Sequence, residues 1–308
     1  MRLRFFILSV FLILFQVCAY TQIRGGFNTR IPQFDRGVYY VDPLVFYDID
    51  SLKPRLDVFV EIPKGNLLFV KKAGIYTNSM EITLILKDSK DAQVFKQKYT
   101  ETISYKDAEF KEELKKSIFY LHNYYLNTGS YKLETTLNDI TAGKEHRKIN
   151  EITVKEFANN PVTFSDIMLL SEYSTTNDGS REITPLISNN IFGLPRIHIF
   201  FEIYNNTTGS VNKVYSYKIT DHNNDVIKEG VLSYYLSDRK SNMFEKIAIG
   251  NPFSEMLEPE DPDIKEIRKK DFGVCKITIS DKSTGETVSE KTIYFIPGRM
   301  PFKKPPDM

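Results

Sequence analysis

Beyond residue 35 the chain alternates apolar and polar positions with a period of two, interrupted by short polar clusters. Leu56-Asp57-Val58-Phe59-Val60-Glu61-Ile62 alternates at its two ends, and Glu81-Ile82-Thr83-Leu84-Ile85-Leu86 is short and β-branched. A period of two puts successive side chains on opposite faces of a strand, so both segments predict β-structure. Turn residues follow each of them, at Pro63-Lys64-Gly65-Asn66 and Asp88-Ser89-Lys90-Asp91. One stretch departs from the pattern. Residues 107–121 place Phe110, Leu114, Ile118 and Leu121 at helical spacing, with Glu112 and Glu113 ahead of Lys115 and Lys116. Residues 117–126 also read as a strand with Phe119, Leu121 and Tyr125 on one face, so the expectation is a short helix or loop entering a strand near Ser117.

The second half repeats the order of the first. Ile197-His198-Ile199-Phe200-Phe201-Glu202-Ile203 matches residues 56–62, including the Glu-Ile ending. Tyr215-Ser216-Tyr217-Lys218-Ile219-Thr220-Asp221 enters a polar turn that Val226-Ile227 leaves, as residues 84–88 enter one that Val94-Phe95 leaves. Gly129-Ser130-Tyr131-Lys132-Leu133 pairs with Gly273-Val274-Cys275-Lys276-Ile277. Each is followed by a polar turn with a glycine (Gly143, Gly285) and a last apolar strand, residues 149–154 and 292–296. Three matches in one order predict a tandem repeat. The expected fold class is all-β, with two tandem immunoglobulin-like (fibronectin-III-like) β-sandwich domains after a signal peptide. Phe157-Ala158-Asn159-Asn160-Pro161 reads as the linker. The expected organisation is a signal peptide at 1–19, an N-terminal linker at 20–34, sandwiches at 35–157 and 158–297, and a C-terminal tail at 298–308. Tyr131 is placed to bond its hydroxyl back to the chain near the start of the penultimate strand, where the second unit has Cys275.

The beginning of the chain changes the picture of where this protein works. Met1-Arg2-Leu3-Arg4, the 13-residue apolar run 5–17 and Val17-Cys18-Ala19 before Tyr20 follow the basic, apolar, small-residue order of a secretory signal. The run is too short to span a bilayer, which takes about 20 apolar residues. Cleavage after Ala19 is the reading taken. Lipidation at Cys18 and retention as an anchor are its alternatives, and Phe15-Gln16-Val17 ahead of the cysteine argues against lipidation. Cleavage would turn the formal charge of +1 on 308 residues into −1 on 289, which offers no basic footprint for nucleic acid. Export to the periplasm, the outer membrane or the medium follows, with no transmembrane span in the mature chain. Of two cysteines, Cys275 alone would remain, as a buried strand thiol.

Composition adds little chemistry. There is no Gly-x-Ser-x-Gly, His-Glu-x-x-His, Cys-x-x-Cys or phosphate loop, and His122, His146, His198 and His222 stand far apart. His198, between Ile197 and Ile199, is expected to point outward from a strand. Asp221-His222-Asn223-Asn224-Asp225 opens like a calcium loop, but Val226 and Leu232 occupy the positions that need Gly and Glu, so a turn is expected. The acidic residues 258–263, within an irregular insertion at 251–270, read as a solvated loop. Asp271-Phe272-Gly273 spells a kinase tripeptide without the other kinase elements. Asn205-Asn206-Thr207-Thr208 holds two overlapping glycosylation acceptors, meaningful only in a eukaryotic secretory pathway. Tyr124-Tyr125 and Tyr234-Tyr235 could stack on sugars or pack within strands. No residue is assigned as catalytic, cofactor-binding or metal-ligating, and no cofactor is expected.

Val58-Phe59-Val60-Glu61-Ile62-Pro63 with Leu67-Leu68-Phe69, Gly129-Ser130-Tyr131-Lys132-Leu133, Phe164-Ser165-Asp166-Ile167-Met168-Leu169, Ile183-Thr184-Pro185 and Phe201-Glu202-Ile203-Tyr204-Asn205 carry one resemblance. Across about residues 35–300 the chain resembles the region upstream of the Gly-Trp-x-Thr-Asp (GWxTD) domain in bacterial GWxTD domain-containing proteins. That resemblance implies an exported cell-envelope protein whose β-sandwiches precede a domain of unclear activity. The chain contains no tryptophan, so the GWxTD domain itself is absent and no functional residue carries over. The expectation is a shortened relative or the front part of an interrupted one. Its function would be that of a non-enzymatic protein-binding or spacer module, with an unknown envelope protein or its own missing C-terminal domain as partner. A polysaccharide-binding module of the envelope is the alternative.

Overall fold

A computed structural model describes residues 37–176, 181–191, 194, 196–248 and 273–295. The expected leader, N-terminal linker, acidic insertion and tail lie outside the described residues, as do Asp271 and Phe272. The architecture is all-β, and every strand pairing is antiparallel. Before Phe157 run β1 (Tyr40–Asp48), β2 (Lys53–Pro63), β3 (Val70–Lys72), β4 (Ile75–Asp88), β5 (Gln93–Lys106), α1 (Asp107–Glu113), β6 (Ser117–Tyr125), β7 (Gly129–Asp139) and β8 (Lys144–Val154). They form a sheet in the order β1-β2-β6 and a second in the order β3-β4-β7-β8, with β5 on β4. After it come β9 (Val162–Phe164), β10 (Met168–Thr175), β11 (Arg181–Pro185), β12 (Arg196–Asn205), β13 (Val211–Thr220), β14 (Val226–Leu236), β15 (Lys240–Ala248), β16 (Gly273–Asp281) and β17 (Thr287–Phe295). Their sheets are β11-β10-β12-β15, with β9 on β12, and β14-β13-β16-β17. No sheet mixes strands from the two sides of Phe157.

The first half faces a three-stranded sheet with a five-stranded one and the second a five-stranded sheet with a four-stranded one; without β3, β9 and β11 both reduce to the fibronectin-III order, β1-β2-β6 over β5-β4-β7-β8 and β10-β12-β15 over β14-β13-β16-β17. The matched sequence segments occupy β2 and β12, β4 and β13, β7 and β16, and β8 and β17. Alternation explains the two cores. Leu56, Val58, Val60 and Ile62 of β2 meet Ile82, Leu84 and Leu86 of β4. In the second half Ile197, Ile199, Phe201 and Ile203 of β12 meet Ile277 and Ile279 of β16, with Cys275 buried beside them.

The turns repeat as well. Asp88 Oδ1 accepts the amides of Lys90 and Ala92, both at 2.9 Å, and Asp221 Oδ1 accepts those of Asn223 and Asp225 at 2.8 and 2.9 Å. The calcium-like opening is therefore the same side-chain-capped hairpin as its counterpart. Asp91 and Asn224 take the left-handed φ values of 62° and 66° that close it.

The Tyr131 hydroxyl donates to the Asn127 carbonyl at 3.0 Å, the bond back to the chain expected of it. Tyr131→Phe should cost about 0.5–1.5 kcal/mol in urea unfolding, the usual net worth of one hydrogen bond. Residues 107–113 do form a helix, held by Phe110 stacked on Tyr76 at 3.7 Å and by Asp107 paired with Lys71 at 2.7 Å. Strand β6 starts at Ser117, so Leu121 belongs to a strand rather than to the helical stripe.

Candidate binding surface

Residues 157–161 were expected to be a linker, but the segment is fastened at both ends. Phe157 is fully buried, stacked on Tyr47 at 5.2 Å and edge-on to Tyr204 at 5.5 Å. Tyr47 donates its amide to the Tyr204 hydroxyl at 2.8 Å, and that hydroxyl donates to Glu202. Asn206 Nδ2 donates to the carbonyls of Phe157 and Asn160 at 2.7 and 2.8 Å. Asn205 is buried and holds Gly209 O and Thr207 with both ends of its amide. Both glycosylation-type asparagines thus serve as internal fasteners.

The outer face of β1 then packs on the outer face of β10 and β12. Leu44 and Phe46 bury themselves against Met168, Leu170 and Phe200. Beside this apolar contact lie several charges, among them two acids and two bases. Lys291 pairs with Asp42, both buried, while Asp166 Oδ2 accepts the Val45 amide at 2.8 Å with Lys155 nearby. Burial pushes the Asp166 carboxyl above its usual range, an effect Lys155 opposes, and burial lowers the Lys155 ammonium. Within this set two acids face two bases, and Arg55, over the Phe46 ring at 5.6 Å, is paired in turn with Asp57.

Flanking the joint, the second sandwich carries a feature without counterpart in the first. Strand β10 pairs with β12 only over residues 168–170, breaks register between Leu170 and Glu172, and continues with β11 alone. In sheet order β11 and β15 are three steps apart, about 14 Å at the usual spacing of about 4.8 Å. Yet the Arg181 guanidinium lies 4.1 Å from the Phe244 ring centre, and Tyr173 lies 5.7 Å from the same ring. The bulge bends the β10–β11 hairpin back over the face of β12 and β15. Beneath it opens a concavity of about 470 Å³ lined by Arg181, Ile183, Phe200, Asn242 and Phe244. Among the described residues Arg181 makes no ion pair. His198 does lie on this outer face, as alternation requires, but the hairpin half-buries it, with its ring edge-on to Tyr173 at 5.1 Å.

A second exposed surface lies on β6, the end strand of its sheet. Phe119, Leu121 and Tyr125 share its outer face at 56%, 51% and 53% exposure. Leu121 pairs across the ladder with Phe59, which packs against the apolar joint. The strip therefore continues from the buried contact out to solvent. On the inner face Tyr124 stacks on Phe95 at 3.6 Å, so each tyrosine pair splits between faces; Tyr235 is exposed while Tyr234 turns inward to Glu245 at 2.7 Å.

The inner side of β6 holds His122 in a row of aromatic rings. His122 Nδ1 meets the Tyr99 hydroxyl at 3.0 Å, its ring stacks on Tyr99 at 4.7 Å and approaches Tyr120, and Nε2 is buried with no partner. Glu101 faces this row but is taken by the Tyr120 hydroxyl. Burial lowers the imidazole below its ordinary value and pushes the Tyr124 hydroxyl up to about 12. A lowered folded value means the unfolded chain binds the proton more readily, so stability is lost as pH falls through about 6.5. His122→Phe, which keeps the stack, should flatten the stability profile between pH 7 and pH 5, measured by urea midpoints at each pH.

Among the described residues no group of three or more His, Cys, Asp or Glu is placed to hold a metal ion, and no helix is long and apolar enough to cross a membrane. No family model and no curated protein matches the chain. Solved structures are similar over most of its length. A transglutaminase of red sea bream is 7% identical over 85% of this chain and 32% of its own, with a TM-score of 0.25. A glycosyl hydrolase family 2 member from Bacteroides cellulosilyticus is 9% identical over 77% and 28%, with a TM-score of 0.25. The exo-chitosanase CsxA of Amycolatopsis orientalis is 14% identical over 82% and 26%, with a TM-score of 0.21. The chain spans less than a third of these proteins, and at such scores the likeness adds nothing to the fold read from the sheet topology.

Proposed function

We propose that this is an exported, non-enzymatic protein-binding module of the cell envelope, in which two fixed β-sandwiches present one composite surface. The observation that carries the reading is the joint. A set of buried charges and an apolar contact lock the two outer faces together, and apolar surface runs out of that contact onto β6 and beside the β10–β11 hairpin. Exposed apolar patches rimmed by polar residues are what partner proteins cover. The resemblance to the region upstream of the GWxTD domain, together with the leader-like first 19 residues, supports the envelope as its place.

The test is photocrosslinking in the cells that make the protein, with p-benzoylphenylalanine at Ile183 or Leu121. Discrete protein adducts at these positions, absent when the reporter stands at exposed Lys90 on a distal turn, are expected. Adducts to polysaccharide alone, or none, would overturn the reading. So would hydrolysis of a peptide or glycan by the purified protein that a point substitution abolishes.

A further inference from the structure

We infer that the concavity under the β10–β11 hairpin takes an extended peptide carrying an acidic residue two positions from an apolar one. This rests on the protein-binding reading and names the ligand class of that surface.

Three observations converge. The Arg181 guanidinium sits over the Phe244 ring, 4.1 Å from its centre, and makes no ion pair among the described residues, so its N–H donors can serve a carboxylate. Ile183, two residues along the same strand, lines the same concavity above Phe200. A charged subsite and an apolar one are therefore set one strand repeat apart, about 6.6 Å. Strand β11 is also the end strand of its sheet, so its outer backbone groups are open to an added strand. An extended peptide laid along β11 would repeat its own side chains at the same interval, an acidic one on Arg181 and an apolar one by Ile183. An acidic glycan would satisfy Arg181 but has no backbone ladder to offer β11.

The probe is a fluorescein-labelled, end-capped octapeptide, Val-Ser-Glu-Ser-Val-Ser-Glu-Ser, titrated by anisotropy into the purified full chain. Controls replace Glu by Gln, or Ser by Pro to remove backbone donors, and trigalacturonate serves as a carboxylate without a peptide. Saturable binding is expected, at least tenfold weaker for the Gln and Pro peptides. Arg181→Gln should erase the preference for Glu over Gln. Asn242→Asp leaves the Arg181 stack intact, should unfold at the same temperature as the wild type, and should weaken only the Glu peptide, by threefold or more. Leu121→Ser on β6 should change nothing. Equal binding of Glu and Gln peptides, unaltered preference in both concavity variants, binding of trigalacturonate in place of peptide, or no binding by any probe would overturn the inference. Protein adducts at Ile183 in cells combined with a failed titration would sink this ligand class alone; loss of both would sink the protein-binding reading too.

Discussion

Replacing Phe157 by alanine should cost about 3–5 kcal/mol, the range for emptying a buried aromatic site. The side chain is fully buried in the first core, between Tyr47 of β1 and Tyr204 of β12, in a stacked and an edge-on contact respectively. Its loss removes one wall from both rings, and neither can fill the space. Tyr204 is fixed by the Tyr47 amide and Glu202, while Tyr47 is fixed by its place in the β1–β2 ladder. Phe157→Leu, which retains most of the volume, should recover more than half of the loss. Tyrosine emission reports urea unfolding in this tryptophan-free chain, and limited proteolysis reports access to residues 157–161. A loss below about 1 kcal/mol with Phe157→Ala would mean that the segment is a plain tether and that the two sandwiches are not held by it.

That outcome bears on what the sequence made legible. The strands, their order and their repeat were readable because alternation at period two is a local signal, repeated in both halves. The Asp88 and Asp221 turns were readable for the same reason, since each carboxylate bonds amides two and four residues on. The joint was not readable. Phe157, Asn205 and Asn206 look like turn and linker residues in the chain, and only long-range contacts give them their roles. Asp42 and Lys291 are 249 positions apart. Nor could the pattern show the contact: Met168, Leu170 and Phe200 face away from the core that Leu169 and Phe201 enter, but outward from one sheet is inward to the next. Arg181 carried no motif at all. The one available signal was negative, a stretch between β10 and β12 longer than its counterpart between β1 and β2.

A different substitution probes the joint's charges. Lys291→Met should destabilise by about 3–5 kcal/mol at pH 7, because it strands Asp42 buried without its cation. The balance also shifts from two acids and two bases to two acids and one base, with Asp166 already under strain from burial. Pairing Lys291→Met with Asp42→Leu should restore most of the stability, since removing a whole buried pair often costs little where removing half of it costs much. If the double variant were no more stable than Lys291→Met alone, the pair would be holding strand β17 to β1 by geometry rather than by charge balance. The joint would then depend on the Nζ–carboxylate contact itself, and Lys291→Arg would be expected to fail as well.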